Sequence, residues 1–230
     1  MQYVENVGIT VTKPELAALV QFCGESDRLA NVSIRIGDGK LVAWATDGGN
    51  AAYLHGKSWD GKGKSSSVER EWQIDSGLAK TIAKSMGKDT EAILHTSKKL
   101  ALVEAEIKAI DDGKSLMKIE LDGHVSEQLD LKLPDFFPTR PPRDTGEVPR
   151  ENVYFAWGSL DLLKRVCKSA GTGAIRVFVN SNPSHPIYCE VATPQQMQDD
   201  YQPEWICVLM PSTAVEREAL GDAEDDDAED

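Results

Sequence analysis

Trp205-Ile206-Cys207-Val208-Leu209-Met210-Pro211-Ser212 is the last apolar stretch of the chain, of strand length and closed by a proline. Its composition predicts a buried or half-buried final strand. After Val215 the chain turns acidic: Glu216 to Asp230 holds nine acids and one base, a net −8 of the chain's −13. Residues 1–215 therefore carry only −5, and the tail, 215–230, reads as a solvated appendage of disordered composition. Its functional reading is a competitor for a basic surface.

Upstream of this strand one pattern runs three times. Val7 to Thr12 alternates as a strand, and Lys13-Pro14-Glu15 opens a helix in which Leu16, Leu19, Val20 and Cys23 recur at helical spacing. Val32 to Ile36 and Leu41 to Thr46 form a hairpin, Asp47-Gly48-Gly49 turns, and Asn50 to His55 returns as a further strand. Residues 56–68 are rich in Gly, Ser and Lys and read as a loop. The second round is a strand over Glu71 to Asp75, a Ser76-capped helix from Leu78 to Met86, and strands over Glu91–His95, Lys99–Ile107, Met117–Leu121 and Leu129–Leu133. Pro134 to Pro138 stops it, and residues 139–150, with Pro141, Pro142, Gly146 and Pro149, read as a linker. The third round is a strand over Val153–Trp157, a helix from Leu160 to Lys168 capped by Ser159 and stopped by Gly171, then strands over Ala174–Val179, His185–Val191 and Trp205–Met210. Helices carried on one side of antiparallel sheets make this an α+β chain. The division expected is a two-unit domain over 1–138, the linker, and a shorter domain over 151–214.

The totals fit that picture. Hydrophobic residues make up 40% and charged residues 27% of the 230, ordinary for a soluble globular protein. Cys23, Cys167, Cys189 and Cys207 show no C-x-x-C spacing and read as buried free thiols of a reducing compartment. The N-terminal residues lack the basic and apolar regions of a signal peptide, and no apolar run approaches the roughly 20 residues of a membrane span, so a cytoplasmic location is expected.

Little of the chemistry on offer is catalytic. There is no G-x-S-x-G, H-E-x-x-H, P-loop or dinucleotide fingerprint. His55, His95, His124 and His185 are scattered without ligand spacing, so neither a metal nor a cofactor is expected, and Asp47-Gly48-Gly49 reads as a turn before it reads as a metal motif. The cations are more telling. Lys80 and Lys84 lie on adjacent turns of the second helix with Lys88 beyond it, and the third helix carries Lys164, Arg165 and Lys168. Such faces suit phosphate contact without sequence reading, because lysine neutralises phosphate as a point charge; an ordinary solvated helix face is the competing reading. The first helix has no cation after Lys13 until Arg28.

Leu41-Val42-Ala43-Trp44-Ala45-Thr46-Asp47-Gly48 resembles the strand and A-T-D-G segment of the bacterial β sliding clamp, the DNA polymerase processivity ring. Leu133-Pro134-Asp135-Phe136-Phe137-Pro138 is similar to that family's domain-closing segment. Tyr154 to Val166, Ala174 to Val179 and Val208-Leu209-Met210-Pro211 are similar, in the same order, to the second half of its last domain and its V-V-M-P ending. The resemblance implies a non-enzymatic ring around duplex DNA, with helices lining the hole and Lys80, Lys84, Lys88, Lys164, Arg165 and Lys168 facing DNA. It implies a groove for polymerase and clamp-loader peptides at Thr46, Gly48, Val208, Leu209, Met210 and Pro211. A Met- and Leu-lined groove suits a short hydrophobic motif.

The chain departs from the family in three places. Gly49-Asn50 replaces the family's His-Arg, Ser212 replaces a hydrophobe, and three units stand where the bacterial clamp has three full two-unit domains. Three units per chain would give a homo-tetramer if a ring needs twelve; a hidden fourth unit would give a trimer. A short member of this kind would fit a phage or mobile element. The rival reading is a clamp-fold interaction protein that binds replication peptides or mimics nucleic acid without encircling DNA; an enzyme of unrecognised type comes third.

Overall fold

The computed structural model describes residues 8–27, 29–37, 40–55, 57–58, 70–96, 103–121, 157–172, 174–178, 186–191 and 203–211. The sequence-expected strand at 129–133, the segment 134–138, the linker, the acidic tail, His124 and His185 lie outside the described residues.

The first unit starts with strand β1 (Gly8–Thr12), which runs straight into helix α1 (Lys13–Gln21). Glu15 fixes the boundary by accepting the Thr12 backbone N–H at 2.6 Å, half of a capping box, while Pro14 fits a position that needs no helical donor. Three antiparallel strands follow: β2 (Asn31–Gly37), β3 (Lys40–Thr46) and β4 (Asn50–His55). A two-residue strand, β5 (Lys57–Ser58), pairs with β1 inside the stretch that composition reads as loop.

The second unit repeats the order with β6 (Arg70–Asp75), α2 (Ser76–Ser85), β7 (Thr90–Thr96), β8 (Val103–Ala109) and β9 (Ser115–Leu121). Here the cap is Asp75 and not Ser76. The Asp75 carboxylate accepts from the N–H groups of Gly77 (2.8 Å) and Leu78 (3.1 Å), and Ser76 becomes the first helical residue.

In the third unit α3 spans Trp157–Ser169, so Trp157 begins the helix instead of ending a strand. Ser159 lies inside that helix and buried, its hydroxyl committed to another unit, so it is no cap. Gly171 does end the run, at φ +66°, with the Thr172 N–H returning to the Cys167 carbonyl at 3.0 Å. Strands β10 (Ile175–Phe178), β11 (Ile187–Val191) and β12 (Trp205–Leu209) complete the unit.

These strands form two antiparallel sheets, β5-β1-β7-β8-β9 and β10-β11-β12-β4-β3-β2-β6. The fold is α+β, with the helices against one side of the sheets. Two features of pairing matter. Units one and two exchange their leading strands: β1 lies beside β7, and β6 lies beside β2. The third unit joins the first, because β12 pairs with β4, Trp205 opposite Leu54 and Val208 opposite Ala51.

Burial follows from this order. α1 packs between α2 and α3, so Leu16, Ala18, Leu19, Val20 and Phe22 are all buried and little of the helix reaches solvent beyond Lys13, Pro14, Ala17 and Gln21. One core runs beneath all three helices, with Trp72, Ile74, Leu54, Trp205 and Cys207 contributed by the long sheet. A second apolar cluster lies on the opposite face of that sheet: Val42, Trp44, Tyr188 and Ile206, flanked by Tyr53, Phe178 and Val208. Trp44 stacks on Tyr53 at 6.2 Å, and Phe178 meets Tyr188 edge-on at 5.5 Å. The four cysteines are free; burial pushes the Cys189 thiol up to about 12 and Cys23 to about 11, so both are inert thiols near neutral pH. No helix among the described residues is long and apolar enough to cross a membrane.

Candidate docking groove and nucleic-acid-facing helices

The residues expected to form a peptide groove begin at the turn between β3 and β4. Asp47 organises it: one carboxylate oxygen accepts from the backbone N–H groups of Gly49 (2.8 Å) and Asn50 (2.6 Å), the other from the Asn50 side-chain amide (3.0 Å). Thr46 donates its hydroxyl to the Asn50 carbonyl (2.7 Å) and accepts from the Gly48 N–H (3.0 Å). Gly48 takes φ +97°, a conformation that strains any residue with a side chain. Thr-Asp-Gly is thus a self-hydrogen-bonded turn, its Asp used by the turn's own backbone and by the Asn50 amide. Among the described residues no group of three His, Cys, Asp or Glu is placed to hold a metal ion.

The turn is held against the third unit at two points. Met210 donates its backbone N–H to the Gly49 carbonyl at 3.0 Å, and the Ser159 hydroxyl of α3 donates to the Asn50 Oδ1 at 3.0 Å. This brings Thr46 and Gly48 to one side and Val208, Met210 and Pro211 to the other, in one place on the molecule. Val208 faces the outer apolar cluster, and Met210 is 42% exposed. Leu209 is different: at 1% exposure it belongs to the helix-side core, because neighbouring residues of a strand point to opposite faces. Its side chain cannot line the groove.

Asn50, expected as the start of a strand and as a departure from the family, is the residue that ties turn, strand and third unit together. The signal was available in its spacing, three residues after an Asp in an Asp-Gly-Gly turn, but its partner Ser159 is 109 residues away. Asn50→Ala removes the amide's bonds to Asp47 and Ser159 and leaves the buried Ser159 hydroxyl without that acceptor. The expected cost is about 1–3 kcal/mol, read as a lower midpoint in urea unfolding.

The second candidate surface is the helix layer. α2 carries two lysines and no acid, α3 three cations and one acid, and α1 one of each. Lys80, Lys84, Lys88, Lys164, Arg165 and Lys168 are all exposed. On α2 the buried side is Ala79, Ile82 and Ala83, which leaves Lys80 and Lys84 one turn apart on the outward side. Arg165 is occupied differently from the lysines. It pairs with Asp161 at 2.9 Å and reaches Gln21 of α1 at 3.2 Å, bracing two helices. The absence of cations from the body of α1 has a packing cause, since that helix is mostly buried between its neighbours. Two basic stripes therefore flank a neutral one.

Two units of strand, helix and strands that exchange their leading strands, and a third that adds its helix and strands to the same layers, make up the described fold. The chain is similar in structure to the DNA polymerase III β subunit of Thermotoga maritima, with 11% identity, TM-score 0.55, and 90% of this chain against 65% of that one covered. It is similar also to the β sliding clamp of C. crescentus (10% identity, TM-score 0.56, 90% and 65% covered) and to a β-subunit-like protein of Eubacterium rectale (8%, 0.52, 94% and 68%). The chain spans about two thirds of the length of these proteins. Its sequence matches no protein-family model and no curated protein. The likeness shows the sliding-clamp fold.

Proposed function

We propose that this chain is a DNA sliding clamp: a non-enzymatic processivity factor that closes into a homo-oligomeric ring, trimer or tetramer, around duplex DNA. The observation that carries this is the pair of exposed lysine stripes on α2 and α3, set on the helix side of the sheets in a chain whose net charge is −13. Lysines on an otherwise acidic protein concentrate attraction where phosphates run and discourage contact elsewhere. The groove at Thr46, Gly48, Val208, Met210 and Pro211 takes a short hydrophobic peptide from a polymerase or clamp loader, with the flexible Met210 thioether as its adaptable wall.

The test of encirclement is topological. A loaded ring stays on closed circular DNA and slides off once the circle is cut; equal retention on both forms, or on neither when a loader is supplied, sinks the proposal. The groove is tested separately. Met210→Asp places a charge among apolar contacts, so peptide binding measured by fluorescence anisotropy is expected to fall at least tenfold. Retention on circles is expected to stay unchanged, since Met210 is remote in role from the basic helices. Loss of both would assign Met210 a structural role only.

A further inference from the structure

The lysines of the helix layer have no counter-charge beside them. Among the described residues none of Lys80, Lys84, Lys88, Lys164 and Lys168 makes an ion pair. Other cations are matched: Lys108 and Lys118 to Glu106, Arg165 to Asp161, and Arg176 to Glu190. The helices offer no remedy, since α2 carries no acid and the one acid of α3, Asp161, is taken by Arg165. These lysines thus stand exposed and unmatched in a chain of net charge −13.

A concentrated negative charge exists in the same chain, and it is attached close by. Glu216 to Asp230, outside the described residues, carries nine acids and one base, −8 in fifteen residues. Only residues 212–215 separate it from Pro211, just past the end of β12. Met210 is bonded to Gly49, and the adjoining Asn50 is bonded to Ser159 in the first turn of α3. Pro211 therefore stands beside the start of α3. From Ser159, Lys164 lies about 8 Å and Lys168 about 14 Å along the helix, at 1.5 Å per residue. Extended chain from Pro211 to Glu216 spans up to about 18 Å, and the acidic segment up to about 50 Å more. α2 lies beyond α1, two helix spacings or roughly 20 Å from α3. Reach does not limit the contact.

We infer that the acidic segment Glu216–Asp230 docks on the lysine face of α2 and α3 in its own chain and holds it until duplex DNA takes its place. Carboxylates and phosphates compete for the same cations, and lysine suits such an exchange because it binds anions as a point charge, not through a fixed fork. A tethered segment acts at an effective concentration of about a millimolar, so contacts too weak to hold a free peptide still hold this one. Duplex DNA carries one charge per roughly 1.7 Å of axis, far denser than nine acids along about 50 Å, so it displaces the segment once in place. The segment thereby keeps an unloaded chain from binding nucleic acid indiscriminately. What displaces the segment rests on the clamp reading; the contact itself does not.

The contact is tested on the full chain, without DNA, by carbodiimide cross-linking and peptide mass spectrometry, since the reagent joins a carboxylate to an amine it touches. Links from residues 216–230 are expected chiefly at Lys80, Lys84, Lys88, Lys164 and Lys168, at least about fivefold over the exposed Lys114 between β8 and β9. Links spread evenly over all six lysines, or none, overturn the inference. The consequence is read by fluorescence anisotropy on a short duplex, comparing the full chain with one ending at Val215. Removing the segment is expected to tighten binding about tenfold near 50 mM salt and less than about twofold near 300 mM, where the segment's own hold is screened. Equal affinity of the two forms at low salt overturns the inference. Should the shortened chain not fold, Asp225→Asn, Asp226→Asn and Asp227→Asn together in the full chain are expected to tighten binding too, and no change overturns it. Where no form binds DNA, the cross-links alone decide. Cross-links on the helix lysines in a chain that never stays on circular DNA would defeat the clamp reading alone. Retention on circles with scattered cross-links would defeat the docked segment alone.

Discussion

Replacing Lys80, Lys84, Lys164 and Lys168 together by glutamate is expected to abolish retention on circular DNA. Each lysine that neutralises a phosphate releases a condensed counterion, so the loss appears in the salt dependence as well as in affinity. For four contacts the slope of log K against log salt is expected to shrink by roughly 3–4. Reversal also puts four carboxylates where phosphates would approach, so the drop exceeds that of simple neutralisation. Arg165 is left out because its charge is spent on Asp161 and Gln21, and changing it would disturb the joint between α1 and α3. The control is reversal of Lys114, exposed between β8 and β9, which is expected to leave retention within about twofold. Equal loss in the control would mean that bulk charge, not the helix face, holds the DNA. All four changes are exposed and remove no packed group, so the unfolding midpoint should move little, within the roughly 0.5 kcal/mol usual for surface changes.

Which parts of this surface sequence could reveal is instructive. Lysines at i and i+4 were visible, because helical periodicity alone puts them on one face. The reason α1 lacks them was not visible. It depends on α1 lying between α2 and α3, which is decided by strand pairing far away. The elements themselves were legible wherever local chemistry settles them: Pro14 and Glu15 at the start of α1, Gly171 at the end of α3, alternation through β2 and β3. Local errors came from competition between adjacent polar residues. Asp75 and Ser76 are both good caps, and a carboxylate that reaches two N–H groups wins. Ser159 looked like a cap because its true acceptor, Asn50, is in another unit. The face of each residue in β12 was hidden for a different reason. Trp205, Ile206, Cys207 and Leu209 are all buried, since the strand has apolar clusters on both faces, and a run apolar on both faces carries no alternation to read.

That two-faced burial makes β12 the strand on which the joint between the third and first units depends, and Trp205 its largest member. The indole is 0% exposed, and its residue sits in register between Leu54 of β4 and Val191 of β11, beneath the shared helix layer. Trp205→Ala would leave a cavity at the seam that neither unit can close without moving the other. Large-to-small changes of this kind cost about 3–5 kcal/mol, a large share of the 5–15 kcal/mol that holds an ordinary domain folded. Trp205→Phe separates volume from polarity. The indole N–H has no hydrogen-bond partner among the described residues, so phenylalanine forfeits only part of the packing and removes an uncompensated donor. Its expected cost is about 1 kcal/mol or less, by analogy with conservative hydrophobic exchanges. Unfolding in guanidinium, followed at equilibrium, distinguishes the two. The alanine variant should also lose peptide binding at the Met210 groove, because the Met210 N–H and the Gly49 carbonyl meet only while β12 stays paired with β4. An alanine variant as stable as wild type would mean that the third unit is held by something other than this strand.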